Sequence, residues 1–140
     1  MQISELNDSE RAWLEAHVNV AGILVETYAA ARSRAPLTPE SLDIAWSAWI
    51  SGASDDVEMA NTIVNARGAA FGQFLVDSAG FRWVVATDER GTEMAVVALE
   101  GTADVVVYPM NLVAKRYEAK ERGFIPQLLE RIRDQVSSLR

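Results

Sequence analysis

A chain of 140 residues that is 49% apolar can bury one hydrophobic core but not two sizeable ones, so we expect one domain over residues 1–140. It contains no cysteine and one histidine, His17, which excludes disulfide scaffolds, thiolate metal centres and multi-histidine sites, and we predict no bound metal or cofactor. The net charge of −7 and the lack of any apolar run near ~18 residues predict a cytoplasmic protein that binds neither nucleic acid nor membranes.

The first half of the chain predicts three helices. Each begins at residues that favour a helix N-terminus, namely Asn7 with Glu10, Thr38 with Pro39, and the run Ser54-Asp55-Asp56. We expect the first helix to fade around residues 31–34, the second to end at Gly52 and the third to end near Gly80.

β-branched and aromatic residues dominate three later runs, at positions 81–87, 92–99 and 105–108, and predict three strands. The polar segment 88–91 ends in glycine and joins the first two strands as a hairpin. Two further helices follow, one from Pro109 to about Arg122 and one from Pro126. This order predicts an α+β fold in which N-terminal helices precede a three-stranded antiparallel meander and two C-terminal helices.

Apolar side chains occupy both faces of the predicted sheet. Phe81, Trp83 and Val85 point to one side of the first strand, and Val84 and Ala86 point to the other. A sheet covered on one side alternates apolar and polar residues instead. Either the N-terminal helices cover one face and the C-terminal pair the other, or a second subunit supplies a layer.

Two glycines four residues apart, Gly68 and Gly72, lie inside the predicted third helix. Each costs about 1 kcal/mol of helix stability relative to alanine unless a packing contact compensates. The segment does not match a nucleotide-binding loop, because it lacks the lysine and Ser/Thr and does not follow a strand. We therefore expect another element to pack closely on these glycines.

Five motifs in a fixed order carry a resemblance to a known family. They are residues 68–72, Trp83, residues 88–91, Tyr108-Pro109 and residues 113–116. The chain resembles the bacterial domain-of-unknown-function family 3806 over about residues 55–122. In that order, the motifs are a glycine-bearing helix, a strand with a tryptophan, a hairpin, a strand ended by proline, and a helix with lysine and arginine. The resemblance implies no particular activity and no catalytic residue.

Four basic residues are candidates for binding an anion: Arg67, Arg82, Lys115 and Arg116. Arg67 and Arg82 have apolar neighbours in the sequence. Lys115 and Arg116 belong to residues 109–140, which hold 7 basic and 4 acidic side chains in an otherwise acidic chain. Arginines in such surroundings either form ion pairs with carboxylates or bind an anion, and of the two we favour ion pairing.

Three residues are candidates for an interface. Trp46 and Trp49 lie three positions apart on the predicted second helix, either in the core or as anchors of a contact surface. Val106 lies in the third predicted strand, which carries no charge and should form an edge of the sheet. We expect a homodimer, formed either through this edge or through the face of Trp46 and Trp49, unless the helix from Pro109 covers the edge within the chain.

No combination of residues predicts a catalytic site, and we lean against an enzyme. His17 has no identified nucleophile or orienting acid, and Asp55, Asp56 and Glu58 are better explained by helix capping than by a cation site. We expect a non-enzymatic module that interacts with a protein partner or with itself. The alternative is a domain that binds a small molecule or an anion, with or without weak hydrolase activity.

Overall fold

The computed structural model describes residues 1–29, 37–52 and 56–140. Its elements in chain order are β1 (Gln2–Ser4), α1 (Asp8–Tyr28), α2 (Pro39–Ser51), α3 (Val57–Ala79), β2 (Arg82–Asp88), β3 (Gly91–Ala98), β4 (Val105–Val107), α4 (Pro109–Glu118) and α5 (Ile125–Ser138). The predicted α+β class is confirmed. The expected fading around residues 31–34, and Ser54 and Asp55 of the third start signal, lie outside the described residues. No helix of the described ranges is both long and apolar enough to cross a membrane.

The predicted start signals are confirmed by hydrogen bonds at the helix N-termini. At α1, the Asn7 side chain accepts the backbone N–H of Glu10 at 2.8 Å, and the Glu10 carboxylate accepts that of Asn7 at 2.7 Å. Thr38 caps α2 in the same reciprocal way with Ser41, and Asp56 caps α3. Each bond satisfies a backbone group that the first turn of a helix leaves without an intrahelical partner.

The sheet has four antiparallel strands in the order β1-β2-β3-β4, one more than the sequence predicts. The three predicted strands are present, and the additional strand, β1, pairs with β2 so that Ile3 lies opposite Ala86. With three residues, β1 is too short for apolar alternation to reveal it. As predicted, β4 lies at an edge of the sheet, with Val106 opposite Val97.

One face of the sheet packs on helices. Its side chains include Trp83, Val85 and Val96, which share hydrophobic clusters with residues of α1, α2 and α3. α4 and α5 pack on α3, and α5 also packs on α2. The C-terminal helices therefore extend the helical layer, and the alternative in which they cover the opposite face of the sheet is wrong.

The opposite face is covered by side chains of the sheet region itself. Four residues at most 3% exposed form its centre, and three half-buried residues surround them: Val84, Ala86, Ala95 and Val97, then Ile3, Val106 and Tyr108. The Tyr108 hydroxyl donates to the Met1 sulfur over 3.7 Å. Because β1 and β4 lie about 14 Å apart at the usual strand spacing, these two side chains reach across the face from its two edges. No described helix contributes an apolar side chain to this surface, which we call the helix-free face.

Gly68 and Gly72 let other elements approach α3 closely, as predicted. A β-carbon on Gly68 would lie 2.6 Å from the Cα of Met110, near the start of α4. A β-carbon on Gly72 would collide with the Trp83 ring and lie 2.9 Å from the ring of Pro109. The two glycines therefore set how closely α4 and β2 pack on α3.

The connection between α4 and α5 differs from the prediction. α4 ends at Glu118, four residues before the expected end at Arg122. Lys120 has a left-handed backbone conformation with a φ of 62°, and the N–H of Glu121 donates to the carbonyl of Arg116. A right-handed helix cannot continue through such a residue. Arg122 consequently lies in the connection rather than on a helix.

Candidate functional site

Four of the seven candidate residues from the sequence meet in one buried cluster. The ring of Trp46 in α2 lies 5.4 Å from that of Trp49 and stacks on the guanidinium of Arg67 in α3. Arg67 and Arg116 both stack on Phe124, which immediately precedes α5. Residues far apart in the chain thus bring two cations and three aromatic rings together, and we call them the arginine–aromatic cluster.

Arg67 is fully buried at the centre of this cluster, with 0% of its surface exposed. The guanidinium carbon lies 4.4 Å from the ring centroid of Trp46 and 4.4 Å from that of Phe124. A desolvated cation over an aromatic face gains about 2 kcal/mol. These contacts offset part of the free energy that is needed to remove a guanidinium from water.

One nitrogen of Arg67, Nη2, links three parts of the chain. It donates to Oδ1 of Asp43 in α2 at 2.8 Å and to the carbonyl of Arg122 at 3.0 Å. Asp43 in turn accepts the backbone N–H of Ile125, the first residue of α5, at 3.1 Å. Asp43 and Arg67 together therefore hold the connection between α4 and α5 against α2 and α3.

Burial shifts the pKa of both members of this pair away from the charged form. Loss of hydration raises the pKa of Asp43 above its ordinary value of 3.8, although the hydrogen bond and the charge of Arg67 oppose the change. The same loss lowers the pKa of Arg67, against the influence of Asp43. Removing either partner would leave the other buried without compensation, which is the costly way to disrupt a buried pair.

Four buried nitrogens of the arginine–aromatic cluster have no hydrogen-bond acceptor among the described residues: Trp46 Nε1, Arg67 Nε, Arg67 Nη1 and Arg116 Nε. A buried donor without an acceptor costs about 1–3 kcal/mol and is uncommon in folded proteins. Together with the shifted pKa values of Asp43 and Arg67, these donors distinguish the cluster from a purely apolar core.

The two tryptophans lie inside the molecule. Trp46 and Trp49 are 0% and 6% exposed, which favours the core interpretation for both. Trp46 also packs edge-on against Tyr117 of α4, with 5.4 Å between the ring centroids. Neither side chain is available at the surface of the folded chain, so an interface anchored by them would require the helices to separate.

Two basic candidates, Arg82 and Lys115, lie at the surface, and Arg116 of the arginine–aromatic cluster lies at its margin. Arg82 at the start of β2 forms a two-pronged ion pair with Glu100, with N···O distances of 2.7 and 2.6 Å. This bond raises the pKa of Arg82 and lowers that of Glu100. Lys115 is exposed on α4, and Arg116 lies 3.7 Å from Glu121. The structure thus favours ion pairing for Arg82.

His17 and Asp88 of the β2–β3 hairpin make contacts within their own elements. The His17 ring stacks on Trp13 with 3.8 Å between centroids, and its Nδ1 lies 2.8 Å from the Trp13 carbonyl, to which it can donate. Asp88 accepts the backbone N–H of Arg90 at 2.8 Å and stabilises the turn between β2 and β3. Val106, the last interface candidate, lies on the edge strand and contributes to the helix-free face.

A cleft of about 510 Å³ opens beside Asp43, and no sequence pattern by itself indicates it. Five residues of α2 and one of the α4–α5 connection line it: Asp43, Ile44, Ser47, Ala48, Ser51 and Arg122. Asp43, Ser47 and Ser51 recur every four positions, a spacing that places them on one face of a helix. The spacing is visible in the sequence, but an ordinary solvated helix face has the same spacing. Only the structure shows that Arg122 lies across the cleft from these residues.

Comparison with protein-family models gives a match. A family model described as a domain of unknown function (DUF3806) matches residues 42–127, which confirms the resemblance and extends it on both sides of residues 55–122. The match begins one residue before Asp43 and ends two residues after Ile125, so it encloses both ends of the buried hydrogen-bond network. Searches of curated proteins and of solved structures found no match.

Proposed function

The chain belongs to the DUF3806 family, defined by a domain of unknown function, and we propose that it is a cytoplasmic, non-enzymatic module that associates with a second copy of itself through β4. One observation carries the self-association. β4 presents an apolar, uncharged strand at the edge of the sheet, next to the helix-free face.

β4 has the features of a strand that pairs with another chain. Its three valines, Val105–Val107, are all half-buried, and it pairs with β3 along one side. Among the described residues, no backbone hydrogen bond reaches its other side. Proteins usually protect such an edge with charges, proline or a covering element. Here the only such residues, Asp104 and Pro109, flank the strand, and neither lies within it. The helix that follows directly, α4, packs along α3. The middle of the edge therefore lacks these protections.

A two-fold axis at Val106 gives this pairing its simplest form. β4 would run antiparallel to its copy, with each Val105 opposite a Val107 and each Asp104 opposite a Tyr108, so that like charges do not meet. Two four-stranded sheets then form one continuous sheet, and the two helix-free faces lie side by side. Such a two-fold contact is the commonest way in which identical chains associate.

Light scattering of the wild-type chain and of two variants at position 106 tests the proposal. We expect a wild-type mass of about twice the 15.4 kDa chain at tens of micromolar protein. Val106→Lys places a charge at the centre of the pairing and should give a monomer with an unchanged circular dichroism spectrum. The matched control Val106→Thr keeps the branched shape and should remain dimeric.

Two outcomes contradict the proposal. A wild-type mass near 15.4 kDa across the whole dilution range shows that the chain does not self-associate. A Val106→Lys variant that dimerises as strongly as Val106→Thr shows that the contact lies elsewhere on the molecule.

A second function, the binding of a small molecule, is supported by a different observation. Arg67 and Arg82, two of the anion-binding candidates, are already paired with carboxylates. The cleft beside Asp43 instead combines an acidic and a basic side chain that do not pair with each other.

A further inference from the structure

We propose that the cleft between α2 and the α4–α5 connection binds a small zwitterion, whose anionic group contacts Arg122 and whose ammonium group contacts Asp43. This site shares no residue with β4 or the helix-free face, so it is independent of self-association.

The cleft holds opposite charges that remain separate. Asp43 and Arg122 both line it, yet the ion pair of Asp43 is with Arg67, and none of the ion pairs among the described residues involves the Arg122 side chain. Asp43 keeps 16% of its side chain exposed. A molecule with one group of each sign can therefore contact both side chains at once, whereas a simple anion contacts only Arg122 and a simple cation only Asp43.

The two charged residues are held in place by the protein itself. Arg67 donates from a single nitrogen to the Asp43 carboxylate and to the Arg122 carbonyl, and thereby ties the two walls of the cleft together. The Arg122 side chain donates to the Ser51 hydroxyl at 2.8 Å. Because these contacts exist without a ligand, binding requires little ordering of the charged groups.

The hydrogen-bonding capacity that remains free in the cleft suits a compact ligand. Oδ1 of Asp43 accepts from Arg67 at 2.8 Å and from the N–H of Ile125 at 3.4 Å, whereas Oδ2 accepts from that N–H at 3.1 Å. Because a carboxylate oxygen can accept two hydrogen bonds, Oδ2 can accept one from a ligand. Ile44 and Ala48 add apolar surface between the polar groups. The volume of about 510 Å³ lies within the range of small-molecule sites.

Titration with ω-amino acids of increasing length tests the proposal, because their charge separation can be varied. The probes are glycine, β-alanine and γ-aminobutyrate, compared with acetate and with ethylammonium at constant ionic strength. We expect one amino acid to bind saturably, about tenfold or more tighter than acetate and ethylammonium, in NMR titrations of the intact chain. The amide shifts should concentrate in residues 43–51 and 122–125.

Matched variants on exposed arginines identify the site. Arg122→Gln removes the charge but keeps a donor for Ser51, and should weaken the amino-acid complex about tenfold. Arg131→Gln removes the same charge from the exposed surface of α5 and should leave the affinity unchanged. Equal affinity for acetate and the amino acids, an unaltered affinity in Arg122→Gln, or the lack of saturable binding by all three amino acids would overturn the proposal.

Discussion

The Arg67–Asp43 and Arg82–Glu100 pairs have short N···O distances of 2.8 and 2.6 Å but differ in their exposure to water. The side chain of Arg67 is 0% exposed, whereas that of Arg82 is 48% exposed. The pKa of Asp43 is raised because loss of hydration outweighs the hydrogen bond and the charge of Arg67. The pKa of Glu100 is lowered because its hydrogen bond with Arg82 outweighs the loss of hydration. Hydration, rather than distance, therefore decides what each ion pair contributes.

The two pairs also differ in what they connect. Arg82 and Glu100 join the start of β2 to the turn that follows β3, within one sheet. Arg67 and Asp43 join α2, α3 and the α4–α5 connection, and thus fix the relative positions of elements that form the cleft. We infer that the buried pair specifies one arrangement of the helices, at a cost in hydration that the exposed pair does not carry.

The largest expected effect is from Arg67→Met, which removes the buried cation and the donor that Asp43 and the Arg122 carbonyl share. Loss of one partner from a buried pair typically costs about 3–5 kcal/mol in the free energy of unfolding. Urea unfolding measures it, with Arg82→Met as the matched control on the exposed pair. An equal loss in both variants would contradict the distinction between the pairs.

A smaller effect is expected when both buried charges are replaced. Arg67→Met combined with Asp43→Leu leaves no unpaired charge, so the double variant should be more stable than Arg67→Met alone. The same urea unfolding experiment checks this. A double variant less stable than Arg67→Met would show that Asp43 stabilises the fold independently of its partner, for instance through the N–H of Ile125.

The difference between the pairs also explains what the sequence can predict. The cap of α1 is predictable because Asn7 and Glu10 lie three residues apart and their spacing alone indicates the contact. Arg67 stands out as a charged residue between apolar neighbours, but Asp43 is 24 residues away and Arg122 is 55 residues away. No local pattern links them, so the candidate arginine was identifiable and its partners were not.

The strands of the sheet show the same difference between contacts that are local in the chain and contacts that are not. β2 and β3 are predictable because a seven-residue and an eight-residue run flank a polar turn. β1 depends on pairing between Ile3 and Ala86, which are distant in the chain, and its three residues carry too little pattern. The cover of the helix-free face by Tyr108 and Met1 likewise depends on contact between opposite edges of the sheet.

The pH dependence of stability should have opposite signs for the two carboxylates. The folded-state pKa of Asp43 is raised above 3.8, so its contribution is fully present below that pH and is lost as the pH rises through the folded pKa. The stability of wild type relative to Asp43→Asn should therefore fall as the pH rises from below 3.8 through the folded-state pKa of Asp43. Thermal unfolding across this range measures the difference, and a rise with pH would contradict the assigned role of burial.

The smallest expected effect is at Glu100, and its sign is the reverse. Its folded-state pKa is lowered below 4.5 by the Arg82 hydrogen bond, so the contribution of Glu100 is present above that pH and is lost as the pH falls through the folded pKa. The stability of wild type relative to Glu100→Gln should therefore rise with pH over the same thermal unfolding series. Because this pair is exposed, the difference should shrink in about 1 M salt, where the Debye length falls from about 10 Å at ~0.1 M to about 3 Å, whereas that for the buried Asp43 should persist. Equal salt sensitivity in the two variants would show that the two pairs experience the same solvent, against the burial that separates them.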